Sequence, residues 1–599
     1  MSSRILLLLA ISTTACAGAR PPTPRAAEEA IQAGALGRDV AWLADPARTG
    51  RGVGTPGNEA AAAWVAGRMR DLGLRPAGDD GFLQPFQAPV GARLTGVNAL
   101  ELAARPLRLG TDWQPFTFSD DGDVRAELVW VGYGITAPDL GHDDYAGLDV
   151  KGKIVVVAAH APGEADPASP WRAPQRYHLG EWRYKAMNAR DHGAAAILAV
   201  RDGWNHPGPD ELTPWRGQVA SRSGVVAARL TLAAVRAAGV DVAALAAEPR
   251  SRALGLSAHL VVHVEQQEAR TWNVAGALPG ADPAAGCVVV GAHYDHLGYG
   301  GESSLAPGVH AVHPGADDNA SGVAAMLAVA RAMAEGPPPR RTVLFVAFGA
   351  EELGLLGSAH LVKHPPPSCG PDATQLMVNL DMVGRPQQGR VYVQGAGTAV
   401  GERERVERLA ASPPAIPLTL AFGGDGYGPS DQTSFYARGV PVVFLFTGAH
   451  ADYHRPSDTA DKIDTHGLEA VARLAFRTAR AAADAPDRYV VVRTPPPPGA
   501  QLAAGERAAG YGAYLGTVPD FEERKEPGVL VSAVRPGSPA ERAGLRSGDV
   551  LRRVGTATVG SLQDLAYALR SHRPGDVVEV VWQRGGETMR SPVTLAERR

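Results

Sequence analysis

Several short stretches of this chain place histidine and carboxylate side chains just where an apolar run ends. In Gly291-Ala292-His293-Tyr294-Asp295-His296, an apolar run from Cys287 stops at His293, and Asp295 follows two residues later. Alternate residues of a strand share a side. Asp295 can therefore accept the imidazole N–H and fix which nitrogen faces a metal. Gly315-Ala316-Asp317-Asp318-Asn319-Ala320-Ser321-Gly322 sets two acids and an amide directly before an apolar helical pattern. One such residue would serve as a helix N-cap, and the second acid exceeds what a cap requires. The run Thr342 to Phe348 leads into Gly349-Ala350-Glu351-Glu352, where neighbouring carboxylates repel unless a cation or a proton intervenes. Asn379-Leu380-Asp381-Met382 and Tyr453-His454-Arg455-Pro456-Ser457-Asp458-Thr459 complete the set. Mixed histidine and carboxylate donors suit zinc, and more than four of them point to two metals sharing a bridging carboxylate.

The elements that must position these groups are legible around them. Cys287 to Ala292, Thr342 to Phe348 and Val440 to Phe446 are continuous apolar runs bounded by Gly and charge. Such runs suit strands covered on both faces, as in an α/β sheet. Strand ends of an open α/β sheet are where ligands bind. Met326 to Met333 is apolar at helical spacing, as are Ile31, Leu36, Val40 and Leu43. A further helix is expected from Asn58 to Leu72, with Gly73 as its stop. Residues 123–262 have a different character, with strand-like runs at Ala126 to Tyr133, Lys153 to Ala159 and Ala194 to Val200 and a helix near Tyr184 to His192. Pro495 to Pro498 form a polyproline spacer.

Composition limits the function classes. The chain has 599 residues, a length for several domains. Lys and Arg number 59 against 63 Asp and Glu, so the basic excess that a nucleic-acid binder needs is missing. Gly and Pro make up about a fifth of the chain without a period, which reads as many turns. At the N-terminus, Arg4 precedes the apolar run Ile5 to Ile11, too short for a membrane span and suited to a signal peptide. Thr13-Thr14-Ala15-Cys16 resembles a bacterial lipobox, in which Cys16 would carry lipid. A plain secretory signal cut near Ala15 or Ala19 is the alternative. Either reading makes the protein exported, to the periplasm, the outer membrane as a lipoprotein, or the medium. Membrane contact is then expected only through a lipid anchor. Nothing in the sequence requires Cys287 and Cys369 to pair.

The set His293-Tyr294-Asp295, Asp317 to Gly322, Glu351-Glu352, Asp381 and Tyr453-His454 resembles the co-catalytic zinc aminopeptidases (metallopeptidase family twenty-eight). The resemblance implies two Zn2+ per chain: His293 and Asp381 on one, Glu352 and His454 on the other, with Asp317 bridging. It also implies Glu351 as general base and acid, Asp295 as the group that orients His293, and a cis peptide bond after the bridging Asp. Ser430-Asp431-Gln432 stands where many relatives carry Ser-Asp-His.

Asp144 to Lys153 and Lys185 to Ala194 resemble a protease-associated domain, which implies a lid or substrate-contacting role without chemistry and structural roles for His160, His178 and His192. Tyr514-Leu515-Gly516-Thr517, Gly537 to Leu545 and Gly548 to Leu551 resemble a bacterial PDZ domain, whose groove takes a C-terminal peptide or protein as an added strand. The bland alternative is an intramolecular packing module. The expected architecture is α/β: a mixed-sheet zinc exopeptidase sandwich with an inserted β-rich protease-associated domain and a C-terminal PDZ domain. Its segments are signal peptide 1–16, tether 17–30, peptidase 31–122 and 263–487, insert 123–262, Pro-rich linker 488–504 and PDZ 505–599. The function read from this is an exported aminopeptidase acting on peptides with a free N-terminus. A glutamate-type carboxypeptidase and a non-catalytic receptor-like relative are the alternatives.

Overall fold

The computed structural model describes residues 23–597 apart from 213–214, 216, 218–221, 248–250, 302, 307–308, 424–425, 493–512 and 521–525. The signal peptide with Cys16 and the polyproline spacer lie outside the described residues.

Within the stretch expected to be a tether, a short helix Pro24–Glu28 already packs Ala27 into the peptidase core and pairs Glu28 with Arg477 at 2.9 Å; helices α1 (Ala33–Leu43) and α2 (Pro56–Asp71) and the long strand β1 (Leu83–Leu94) follow. The chain resumes at β2 (Val264–Leu278), then β3 (Cys287–His293), α3 (Gly322–Glu335), β4 (Thr342–Phe348) and α4 (Leu356–Lys363). It continues with β5 (Thr374–Leu380), β6 (Arg390–Gln394), β7 (Thr419–Gly423), β8 (Val442–Phe446) and α5 (Thr465–Asp484). The main sheet runs β2-β4-β3-β5-β8-β6-β7 and is mixed. Its centre, β4, β3, β5 and β8, is parallel, while β2 and β6 pair antiparallel at either side.

Alternation across the sheet explains the continuous apolar runs. Val288, Val290, Phe345, Val378 and Leu445 pack under α1, α2, α3 and α5. Their neighbours Val289, Leu344, Val346, Phe348 and Met377 face Leu361 and Val362 of α4 and Phe435. Both faces are covered, so the strands have no polar side. Cys287 and Cys369 form a disulfide within that second layer.

The insert leaves and returns at one place, because Leu94 at the end of β1 lies opposite Val264 at the start of β2. It builds its own sheet, in which Gly122–Trp130, Ile154–Ala158, Ala196–Val200 and Val226–Leu230 run parallel. Ala99–Leu102, Arg105–Leu107 and Trp113–Pro115 also belong to this sheet. The insert therefore begins upstream of the expected residue 123. These strands are short and interrupted by turns, so no compositional break marks the boundary.

The C-terminal unit is a mainly antiparallel sheet from Thr517–Pro519 to Glu587–Thr594 with helices Pro539–Arg542 and Leu562–Arg570. Helix Leu562–Arg570 carries Tyr567 into an apolar cluster of the insert with Ile135, Trp171, Leu179 and Tyr184. The Tyr567 hydroxyl donates to Glu181, Arg190 pairs with Asp564 at 3.2 Å, and Arg573 with Asp139 at 3.0 Å. Among the described residues no helix is long and apolar enough to cross a membrane.

Candidate active site

The four parallel strands end on one edge of the sheet, in register. His293 of β3 lies beside Phe348 of β4, and Leu380 of β5 beside Leu445 of β8. Chain order moves from β3 outward to β4, then back past β3 to β5, so a crevice opens at the carboxyl ends between β3 and β5. His293, Glu351, Glu352, Asp381 and His454 converge there, as their motifs led us to expect.

His293 turns Nδ1 toward the backbone carbonyl of Asp295 at 3.2 Å, which directs Nε2 to Asp318 Oδ1 at 3.3 Å and Asp381 Oδ1 at 3.4 Å. His454 repeats the device. Its Nδ1 contacts the Ser303 carbonyl at 2.7 Å, and its Nε2 lies 3.3 Å from Asp318 Oδ2 and 3.2 Å from Glu352 Oε2. An imidazole tied by one nitrogen to a carbonyl presents the other as a metal ligand.

The carboxylate shared by the two clusters is Asp318, where the sequence led us to expect Asp317. Asp317 faces the other way, accepting from Gly384 N at 2.7 Å and Ser321 Oγ at 3.0 Å, with His450 Nε2 at 3.1 Å. Between them the backbone leaves helical geometry, with Asp318 at φ −104° and ψ 95°, and so the adjacent carboxylates part. The cis peptide bond correspondingly follows Asp318, not Asp317.

Asp295 holds more than its imidazole. Its carboxylate accepts the backbone N–H of Glu351 at 3.0 Å and of Glu352 at 3.3 Å, fixing the turn between β4 and α4. Its contact with His293 is through its own carbonyl, the carboxylate being 3.8 Å away. The role read from sequence is thus divided between backbone and side chain.

Three groups have no role from sequence, two of them inside the quoted motifs. His296 places Nδ1 2.6 Å from Glu352 Oε1 and 3.9 Å from Asp318 Oδ2, and with them it forms a second set of converging donors beside His293, Asp318 and Asp381. Its proximity to the His-x-Asp motif was the only signal. Asp458 accepts the N–H groups of Asp317 and Asp318 at 3.0 and 3.1 Å. Arg51, fully buried, donates to the carbonyls of Leu43, Tyr294, Pro314 and Gly315 at 2.6 to 2.8 Å. No local pattern around Arg51 could have announced this. Burial, opposed by the nearby Asp318 and Asp295, leaves its pKa lowered to about 10, so it stays charged at neutral pH.

Electrostatically the crevice is short of cations. Asp295, Asp318, Glu351, Glu352, Asp381, Asp431 and Asp458 are all buried or nearly so. Burial holds the Glu351 carboxyl well above the usual range, with Glu352 and Asp381 adding to it against His293. Burial likewise pushes Asp431 up to about 7. Burial works against the charge on His454, but Glu352 and Asp318 outweigh it and push the imidazole up to about 11. For His293, Glu351 and Asp381 overcome burial in the same way. Oδ1 of Asp381, Nε2 of His296 and both oxygens of Asp431 make no well-aligned hydrogen bond. Buried groups of this kind call for a missing partner, and two nests of nitrogen and oxygen donors fit a divalent cation such as Zn2+.

Asn379 Nδ2 donates to Ser430 Oγ at 2.8 Å and Gln432 Oε1 at 2.9 Å, which anchors the Ser430-Asp431-Gln432 segment beneath the crevice.

Comparison with known proteins is consistent with this geometry. Residues 273–479 match Peptidase family M28, and residues 514–595 match the PDZ domain. A protein named Aminopeptidase from Pseudomonas aeruginosa (strain UCBPP-PA14) is 26% identical over 423 residues, covering 69% of this chain and 68% of its own. Aminopeptidase YwaD of Bacillus subtilis (strain 168) is 32% identical over 200 residues, 31% of this chain and 39% of its own. The Probable lipoprotein aminopeptidase LpqL of Mycobacterium tuberculosis (strain ATCC 25618 / H37Rv) is 26% identical over 453 residues, covering 70% and 78%. The segment that carries the converging strand ends is a peptidase domain of family M28, joined in this chain to a C-terminal PDZ domain.

Proposed function

We propose that the protein is an exported zinc aminopeptidase that removes N-terminal residues from peptides. The observation that carries this reading is the meeting of His293, His454 and a surplus of buried carboxylates at the ends of four parallel strands. His293, Asp318 and Asp381 would hold one zinc; Glu352, His454 and Asp318 the other, with His296 beside them. Held by these residues, zinc would supply a water of near-neutral pKa and polarisation of a peptide carbonyl.

The chain's own residues supply the proton traffic. Glu351 Oε2 lies 3.8 Å from His293 Nε2 and is absent from both donor sets. Lying outside both donor sets, the Glu351 carboxylate can take a proton from the attacking water and return it to the leaving amine nitrogen. Asp295 keeps Glu351 in place through the two N–H bonds of the turn. Glu351 and Asp381 together are acceptors for the substrate's α-ammonium. The inserted domain, read as a protease-associated lid, would close over the substrate.

Export is supported by the apolar N-terminal run, by the Cys287–Cys369 disulfide, which persists in oxidising compartments, and by the similarity to a protein named a lipoprotein aminopeptidase. The PDZ groove remains the candidate site for a C-terminal peptide.

The deciding experiment compares hydrolysis of Leu-nitroanilide, its N-acetyl form and N-acetyl-aspartyl-glutamate. Acetylation removes the ammonium charge, and loss of a buried ionic contact costs about 2–5 kcal/mol, a 30-fold to several thousand-fold drop in rate. Equal rates on blocked and free substrates would refute the aminopeptidase. Selective cleavage of the acidic peptide would instead establish the glutamate-type carboxypeptidase.

A further inference from the structure

We propose that the inserted domain holds a divalent transition-metal ion of the zinc class at His160, Asp202 and His206, separate from the peptidase centre. The sheet register builds this cluster. Ala158 and Val200 end adjacent parallel strands and are direct partners, so His160 and Asp202, each two residues further on, emerge side by side. His206 returns to the same point one turn after Asp202, its backbone N–H donating to the Asp202 carbonyl at 3.0 Å.

The donor atoms already converge. Asp202 is fully buried, and its two oxygens meet His160 Nδ1 at 2.7 Å and His206 Nδ1 at 3.1 Å. The imidazole rings lie 3.8 Å apart, centre to centre. One donor atom each from His160, Asp202 and His206 lies within 4.8 Å of the others, and two imidazole nitrogens with a carboxylate are a donor set for a metal. With side chains 42% and 34% exposed, His160 and His206 leave the cluster open to solvent for entry and for a further ligand.

The surrounding structure holds both loops in position. His160 sits at φ +58°, uncommon for a residue with a side chain. Its carbonyl accepts from the buried Lys185 ammonium at 2.6 Å, as do those of Tyr133 at 2.5 Å and Ala158 at 2.9 Å. Lys185 thus spends its three donors on backbone carbonyls, one of them that of His160. On the other side Trp204 Nε1 and Asn205 Nδ2 both donate to the Tyr133 hydroxyl, at 3.0 and 2.8 Å. Arg201 donates to the His206 carbonyl at 2.8 Å. A backbone in a sparsely populated conformation that is tied on every side is a sign of a functional constraint. The sequence reading gave His160 a structural role; the geometry points to a ligand.

The test uses the full-length protein, stripped with chelator, reloaded with Zn2+ and freed of excess by gel filtration. His206→Ala removes a part-exposed imidazole, and His160→Asn keeps a residue that tolerates the left-handed backbone. Each variant should hold about one zinc fewer per chain than the parent while hydrolysing Leu-nitroanilide within about twofold of it. With Co2+ as the probe, the parent-minus-variant spectrum should show visible ligand-field bands. Unchanged metal content in both variants would overturn the proposal. So would metal loss accompanied by loss of turnover, which would place the effect at the peptidase centre.

Discussion

Replacing Asp318 by Asn tests the assignment of the shared carboxylate directly. The change keeps shape and removes one charge at the point where both donor sets meet, 3.3 Å from His293 Nε2 and 3.3 Å from His454 Nε2. Breaking a buried ionic pair from one side costs about 3–5 kcal/mol, which corresponds to a loss of roughly 150- to 5,000-fold in metal affinity. The same change at Asp317 removes an acceptor for Gly384 N, Ser321 Oγ and His450 instead. That should cost about 1–3 kcal/mol of folding stability and leave zinc in place. Zinc per chain after dialysis against a weak chelator, measured beside thermal unfolding, separates the two. Asp318→Asn should lose metal and activity together; Asp317→Asn should lower the unfolding temperature and retain the parent's zinc content. The opposite pattern, with metal lost from the Asp317 variant and retained in the Asp318 variant, would refute the geometric argument.

Glu351→Gln should keep its zinc and lose about 10²–10⁴ in turnover on Leu-nitroanilide, the usual worth of a general base; near-parental turnover would remove Glu351 from its role. A chain ending at Pro495 should retain turnover on small substrates, because every proposed ligand precedes it, yet unfold at lower temperature once Tyr567 no longer fills the insert's apolar cluster; a collapse of activity would show that the PDZ unit completes the site. Asp452 is held well below the usual carboxylate range chiefly by Lys462 at 2.7 Å, with Ser457 and Arg385 also contributing. A depressed carboxyl stabilises the fold above its unfolded pKa of about 4, and the benefit is lost as pH falls below that value. The difference in unfolding temperature between the parent and Asp452→Asn should therefore be full near pH 6 and shrink toward pH 2. A constant difference would contradict the ion-pair account.

The sequence by itself determined the strand ends and which ionisable side chains stand on them. Apolar runs buried on both faces stand out in any reading, and His293, Glu351, Glu352 and Asp381 follow such runs within a few residues, so short-range pattern was enough. Tertiary structure decided what short-range pattern does not encode. Asp317 and Asp318 are equivalent as letters, and only the dihedral angles between them send one carboxylate to Gly384 and the other into the crevice. Arg51 reaches carbonyls more than 200 residues away, and Cys287 meets Cys369 across 82 residues. The insert's first strands are assigned by partners at 226–230 and 252–262. His160 and Asp202 become neighbours only because Ala158 and Val200 share a register. In each of these cases the deciding quantity is which distant backbone lies alongside, and that is set by the packing of whole sheets.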